Sequence, residues 1–271
     1  MTLPRWSSPL ALALALLPFA GCTQDPTPAS DETETDTGEP SCLDTDAPGE
    51  DIVISFDSDI AELELGECVP NRIIITGGGV TDLSGLAHLR EVGILEIRFN
   101  PLLDSLAGLE QLERIGTLII TNNAVLPELP AFPALADVNT IEITGNDALV
   151  DIGGFPALTS VGALEISSNG ALTDYSGFEA LASTSGDVEL WDAPLITDLT
   201  GFTALTEIGG GLRIEDMGGL TSLAGMPVTS VGGDLRIVSN LALSECLVDD
   251  WAMAIDVGGA TIASDNKPDA C

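Results

Sequence analysis

The chain has 271 residues, 45% of them hydrophobic, which is enough to bury a sizeable core. Forty-three acidic residues against eight basic ones give a formal net charge of −35, and no Lys or Arg stands between Arg114 and Arg213. Such a surface repels phosphate backbones and excludes nucleic-acid binding. It leaves cations, basic protein patches or neutral glycans as partners, or a purely solubilising role in a salty or extracellular setting.

Residues 1–21 read as a targeting segment. Arg5 supplies a positive charge, and the apolar run from Leu10 to Phe19 is too short to span a bilayer. The run ends in "FAGC", Phe19 to Cys22. This resembles the lipobox of bacterial lipoproteins, with Phe19 where Leu is usual. The resemblance implies cleavage before Cys22 and lipidation of that cysteine, which anchors the chain to a membrane. Thr23 stands where an Asp commonly retains enteric lipoproteins at the inner membrane, so the resemblance implies the outer membrane or cell surface.

Residues 22–49 form an acidic tether. Ten acidic residues and no basic ones run from Thr23 through Asp51, eight of them before Gly49, and almost nothing apolar precedes Leu43. Charges that repel and too little surface to bury predict an extended, disordered segment. Residues 50–71, with "DIVISF" and "AELELGEC", read as a half-regular N-terminal cap.

From Arg72 the chain repeats. Seven units of 22 to 24 residues run to Gly233, and Asp234 to Leu243 opens an eighth. Two of them are "TIEITGNDALVDIGGFPALTSVG", Thr140 to Gly162, and "ALEISSNGALTDYSGFEALASTSG", Ala163 to Gly186. A period of this size means a solenoid. Each unit opens with apolar residues two apart, such as Leu164 and Ile166, the period of a strand with one buried face. Apolar residues then recur every third position, as at Leu149, Ile152, Phe155, Leu158 and Val161. A step of three falls about 60° short of an α-helical turn, so the apolar residues would smear around a helix. Glycines interrupt the run as well. The pattern predicts a parallel β-solenoid whose coils return through turns, extended pieces or short 3₁₀ segments over residues 72–243.

Asn100, Asn123, Asn146, Asn169 and Asn240 occupy one position of five units, just after the strand. An amide both donates and accepts, so stacked copies can satisfy the backbone where the chain turns. Ala193 and Met217 interrupt the column. A structural ladder is the expectation, in preference to a row of catalytic or glycan-binding amides.

The Gly before Leu-x-Ile in "GALEISSN" and "GGLRIEDM", with the returns "LTDYSGFEAL" and "LTDLTGFTAL", resembles leucine-rich repeats and, more closely, the receptor L-domain family. The resemblance covers about Arg72 to Leu243. It implies a right-handed coil and a binding scaffold of varied ligands, and leaves the choice between the two families open.

Residues 244–271 read as a C-terminal cap. Leu247, Trp251, Ala254 and Ile255 share one face of a short helix, which Gly258 and Gly259 should stop. With Cys22 set aside, four cysteines remain. Three connectivities are open to them, and Cys42–Cys68 with Cys246–Cys271 is the one a long rod between the two pairs favours.

Function is expected on the outward face of the sheet. There the column between the strand's two apolar residues reads Glu142, Glu165, Glu189, Arg213 and Arg236, and the next outward column places Trp191 beside Glu189 and Arg213. Glu142, Glu165, Glu189, Trp191 and Arg213 are therefore the ligand-binding candidates. The acidic middle is also a candidate for Ca²⁺. Catalysis finds no support: His88 is the only histidine, and no nucleophile–base set, metal motif or cofactor motif is present. The sequence thus predicts a non-enzymatic, lipid-anchored envelope protein that binds an extracellular or envelope protein or glycan. The alternatives are a surface-coat spacer without a discrete ligand and, more distantly, an acidic polysaccharide-cleaving enzyme.

Overall fold

The computed structural model describes Leu43 and residues 50–269. The targeting segment, Cys22, the tether apart from Leu43, and Cys42 and Cys271 lie outside the described residues.

The repeat units fold as a parallel β-solenoid. Its main sheet has ten strands in strict chain order: Ile52–Phe56, Cys68–Gly79, Glu91–Arg98, Arg114–Thr121, Asp137–Thr144, Ala163–Ser167, Val188–Trp191, Leu212–Glu215, Leu235–Val238 and Thr261–Ser264. All neighbours pair in parallel, and the register puts like positions opposite one another: Glu142 faces Glu165, Glu165 faces Glu189, and Glu189 faces Arg213. A second parallel sheet of five two-residue strands, from Ser160–Val161 to Asp256–Val257, forms another wall.

The third-position residues close the interior. Leu149, Ile152, Phe155, Leu158 and Val161 are all buried. Along the stack Phe132, Phe155, Phe178 and Phe202 lie ring on ring, with centroids 5.2, 5.0 and 5.7 Å apart. Between residues 72 and 243 the return path contains no α-helix; Ser84–Leu86 and Thr200–Phe202 are single 3₁₀ turns. Glycines at the corner before most strands set the coil spacing: a Cβ on Gly232 would lie 2.2 Å from the Gly209 carbonyl oxygen.

The asparagine column is an internal ladder. All five residues are fully buried. Each of Asn100, Asn123 and Asn146 donates its backbone N–H and its Nδ2 to the Oδ1 of the next asparagine, at 3.0–3.3 Å. Each Nδ2 also reaches a carbonyl of the preceding coil, as from Asn146 to Ile120 at 2.9 Å. The column has a sixth rung at Asn266, whose Oδ1 accepts from Asn240. Immediately before the column each coil from Glu91–Arg98 onward turns through a left-handed residue: Phe99, Asn122, Gly145, Ser168, Asp192, Asp216, Ser239 and Asp265 have φ between 52° and 66°. Seven of these eight are not glycine, and each of the first seven donates its N–H to the strand end of the next coil, as Ser168 does to Trp191 at 3.1 Å. The turn is thus held by ladder and backbone together, not by glycine.

Each end adds a turn to the solenoid. Ile52–Phe56 pairs in parallel with the strand that contains Ile73 to Ile75, so residues 50–71 supply an outer turn of the solenoid, with a short helix Asp57–Glu62 seating Ile60 on the core. At the other end the helix is Glu245–Met253, capped by the Ser244 side chain, which accepts from the Leu247 N–H. Its buried face is rotated by one position from the expected one. Val248 is fully buried, Trp251, Ala252 and Ile255 pack on the core, and Leu247 and Ala254 are exposed. The i, i+3, i+4, i+7 set is therefore 248, 251, 252 and 255. Gly258 and Gly259 do not stop the helix, which has already ended; they form the corner of one more coil, completed by Thr261–Ser264 and Asn266. Cys68 and Cys246 are each disulfide-bonded.

Candidate functional site

The strands alternate, so one set of side chains fills the interior and the other forms an outward face whose columns run along the solenoid. That face is electrostatically uneven. At its N-terminal end Glu96 is buried and lies between Arg72 and Arg98, with Arg98 Nε at 2.9 Å. Two guanidiniums on one carboxylate leave this end locally positive.

In the middle, Glu142 and Glu165 have no cationic partner among the described residues. Each is met instead by the hydroxyl two residues on: Thr144 donates to Glu142 at 3.4 Å and Ser167 to Glu165 at 3.1 Å. Burial pushes the Glu142 carboxyl above the ordinary carboxylate range and the neighbouring Glu165 charge adds to this, against a smaller opposing effect of the Thr144 hydroxyl. Ser167 lies in the same outward column as Trp191. Its direction is outward, but it is fully buried, because it lies beside Trp191 in the register and under its own glutamate.

Toward the C-terminal end the charges interlock. Arg213 donates Nε to Glu215 at 2.7 Å and Nη1 to Glu189 at 3.2 Å, and its guanidinium sits 5.1 Å from the centre of the Trp191 ring. Arg236 holds Glu215 through two nitrogens, at 3.1 and 3.3 Å. The hydrogen bonds from Arg236 and Arg213 keep the Glu215 carboxyl below its usual range, although burial pulls the other way. Trp191 is partly exposed, yet its Nε1 is buried and without a hydrogen-bond partner.

The structure thus brings Glu189, Trp191 and Arg213 into one cluster, with Glu165 and Glu142 on the adjoining strands. Sequence reasoning missed Glu215 and Arg236 as members. Their signal was the alternation of charge between two adjacent columns, Glu189, Arg213 and Arg236 in one and Glu215 in the other, legible only when the columns are set side by side. His88 is exposed, with Nε2 3.0 Å from the Leu65 carbonyl oxygen. Among the described residues no group of three or more His, Cys, Asp or Glu is placed to hold a metal ion, and no helix is long and apolar enough to cross a membrane.

The chain matches no family model, no curated protein and no solved structure.

Proposed function

We propose that the chain is an exported lipoprotein of the cell envelope, anchored through Cys22 at the outer membrane or cell surface, whose solenoid offers a rigid outward face to an extracellular or envelope protein or glycan. The reading rests on one observation: Trp191 stands partly exposed on the outward face, held under the Arg213 guanidinium beside Glu189. A large aromatic ring fixed in this way is a rigid anchor of the kind that carries binding energy at interfaces. The signal-like N-terminus and the "FAGC" resemblance support the anchor, and the long acidic tether would hold the solenoid away from the membrane surface.

The test is capture on intact cells with the full chain and its Trp191→Ala variant. A specific partner enriched by the wild type and lost with the variant, at unchanged expression and folding, is the expected result. Equal enrichment by both removes the role given to Trp191. The net charge of −35 favours a second reading, a surface-coat spacer; recovery of bulk envelope alone would select it. Cys22→Ser should release the chain from the membrane fraction, and continued fractionation with membrane would remove the lipid anchor.

A further inference from the structure

Beside the Trp191 cluster, at the edge where the strands begin, lies a groove of about 440 Å³, within the range of small-ligand sites. Its polar side chains are Asp187, Glu189, Arg213, Asp234 and Arg236. Each is held from one side. Asp187 Oδ1 accepts the Gly211 N–H at 2.6 Å, and Asp234 Oδ1 the Ala260 N–H at 2.7 Å. Glu189 Oε2 accepts from Arg213, and both guanidiniums are tied to Glu215. Each also keeps one polar atom without a partner among the described residues: Oδ2 of Asp187 and Asp234, Oε1 of Glu189, Nη2 of Arg213 and Nη1 of Arg236. Three acceptors and two donors are therefore preset by bonds that the fold already makes.

The charge of this lining selects among ligands. An anion would face three carboxylates, while the two arginines are already neutralised by Glu215 and Glu189. A cation would have to displace Arg213 from Glu189, and among the described residues no three carboxylates converge to hold one. Either charged ligand is therefore penalised. A neutral polyol is not, because every hydroxyl both donates and accepts and so fits either kind of atom. The floor suits such a ligand as well. It is lined by Gly210, Gly211 and Gly233, and coil packing leaves no room for a side chain at two of them: a Cβ on Gly210 would lie 2.5 Å from the Gly186 carbonyl carbon, and one on Gly233 2.8 Å from the Gly211 nitrogen. The consequence is bare backbone that a pyranose ring can approach. The groove is also not closed at its N-terminal side. Asp187 and Glu189 border a narrower depression of about 130 Å³ that continues past Glu165 to Glu142.

We infer that this groove binds a neutral polysaccharide, with one sugar residue over the glycine floor and the chain running along the sheet past Glu165. This deepens the binding function proposed above and rests on it.

The test is calorimetric titration of the full chain with cellohexaose, maltohexaose and tetra-N-acetylchitotetraose as neutral probes, polygalacturonate as the anionic probe and hexalysine as the cationic one. At least one neutral probe should bind, and Glu189→Gln and Arg236→Met should each weaken it at least tenfold while the thermal transition is retained. Asn139→Ala, on the corner of another coil, should leave it unchanged. If no neutral probe binds, if only polygalacturonate or hexalysine binds, or if the folded variants bind the neutral probe as the wild type does, the inference falls. Trp191-dependent capture of a protein partner with no binding of the neutral probes would overturn the groove alone. Loss of both would remove the binding function too.

Discussion

The Oδ1 of Asn146 accepts two hydrogen bonds from Asn123, one from its backbone N–H at 3.0 Å and one from its Nδ2 at 3.2 Å. In the same side chain, Nδ2 donates to the Ile120 carbonyl at 2.9 Å. With the further bond from Nδ2 to the Asn169 Oδ1 at 3.3 Å, one amide joins three coils. Asn146→Ala leaves the buried Asn123 N–H unpaired and takes a donor from Ile120, an expected cost of about 2–5 kcal/mol. Asn100 differs, since its Oδ1 is buried and accepts nothing. Asn100→Ala should thus cost less, by about 1–2 kcal/mol. Urea unfolding of the two variants checks the order; equal losses would mean that the ladder's acceptors contribute little.

The interruption of the ladder predicts a second contrast. Ala193 and Met217 replace two rungs, and the fully buried Tyr175 hydroxyl reaches across that gap to the Met217 sulfur at 3.9 Å. Burial pushes the Tyr175 hydroxyl far above its ordinary pKa, so it stays neutral. A thioether is a weak acceptor, and little is lost when the donor is removed. Tyr175→Phe should change stability by under about 1 kcal/mol. Tyr175→Ala empties a core position packed on Phe202, whose ring centroid is 5.3 Å away, and should cost about 3–5 kcal/mol. Chemical denaturation separates the two cases, and a large loss in Tyr175→Phe would give the hydroxyl a role that its surroundings do not show.

The solenoid was legible in the sequence because its cause is periodic. Leu164 and Ile166, then Leu172, Tyr175 and Phe178, are spaced for one strand and one non-helical return, and all five are buried. The asparagine rungs were legible for the same reason. The ends were less so, because their signals are aperiodic. Asn266 lies 26 residues after Asn240, beyond a helix that breaks the repeat, and the helix face was misplaced by one position because Leu247 and Val248 are equally apolar. The outward cluster was half legible. Register follows from the repeat and placed Trp191 beside Glu189 and Arg213, but long side chains choose partners across columns as well as along them. Glu215 took both Arg213 and Arg236, a choice set by reach and angle that no spacing records.

The left-handed turn yields a prediction at Phe99. Its φ is 54° and its side chain is 57% exposed, so its ring gains little from burial while the backbone pays for the conformation. A non-glycine residue in this region costs about 1–2 kcal/mol, less for Asn. The next coil carries Asn122 at the equivalent position, with φ 56°. Phe99→Asn should therefore stabilise the fold by about 0.5–1 kcal/mol. A fall in the urea midpoint would instead mean that the exposed ring covers something the fold needs.

Glu142 and Glu215 should give opposite pH dependences. Burial and the Glu165 charge raise the Glu142 carboxyl in the folded state. Between the ordinary carboxylate range, near pH 4, and that raised value, the folded chain holds a proton that the unfolded chain has released. Its contribution to stability therefore falls as pH rises through this window. Glu215 is the reverse. Its carboxyl is held low by the hydrogen bonds of Arg236 and Arg213, so its contribution is complete above the unfolded value and is lost as pH drops through the folded one. Glu142→Gln should raise the urea midpoint near neutral pH and lose that advantage toward about pH 4. Glu215→Gln should lower the midpoint near neutral pH, by under about 1 kcal/mol for each exposed pair, with the deficit closing in acid. Midpoints for both variants across that range test the signs. If both fell at neutral pH, the unpaired Glu142 would be serving the fold, and the strain assigned to the middle of the outward face would be absent.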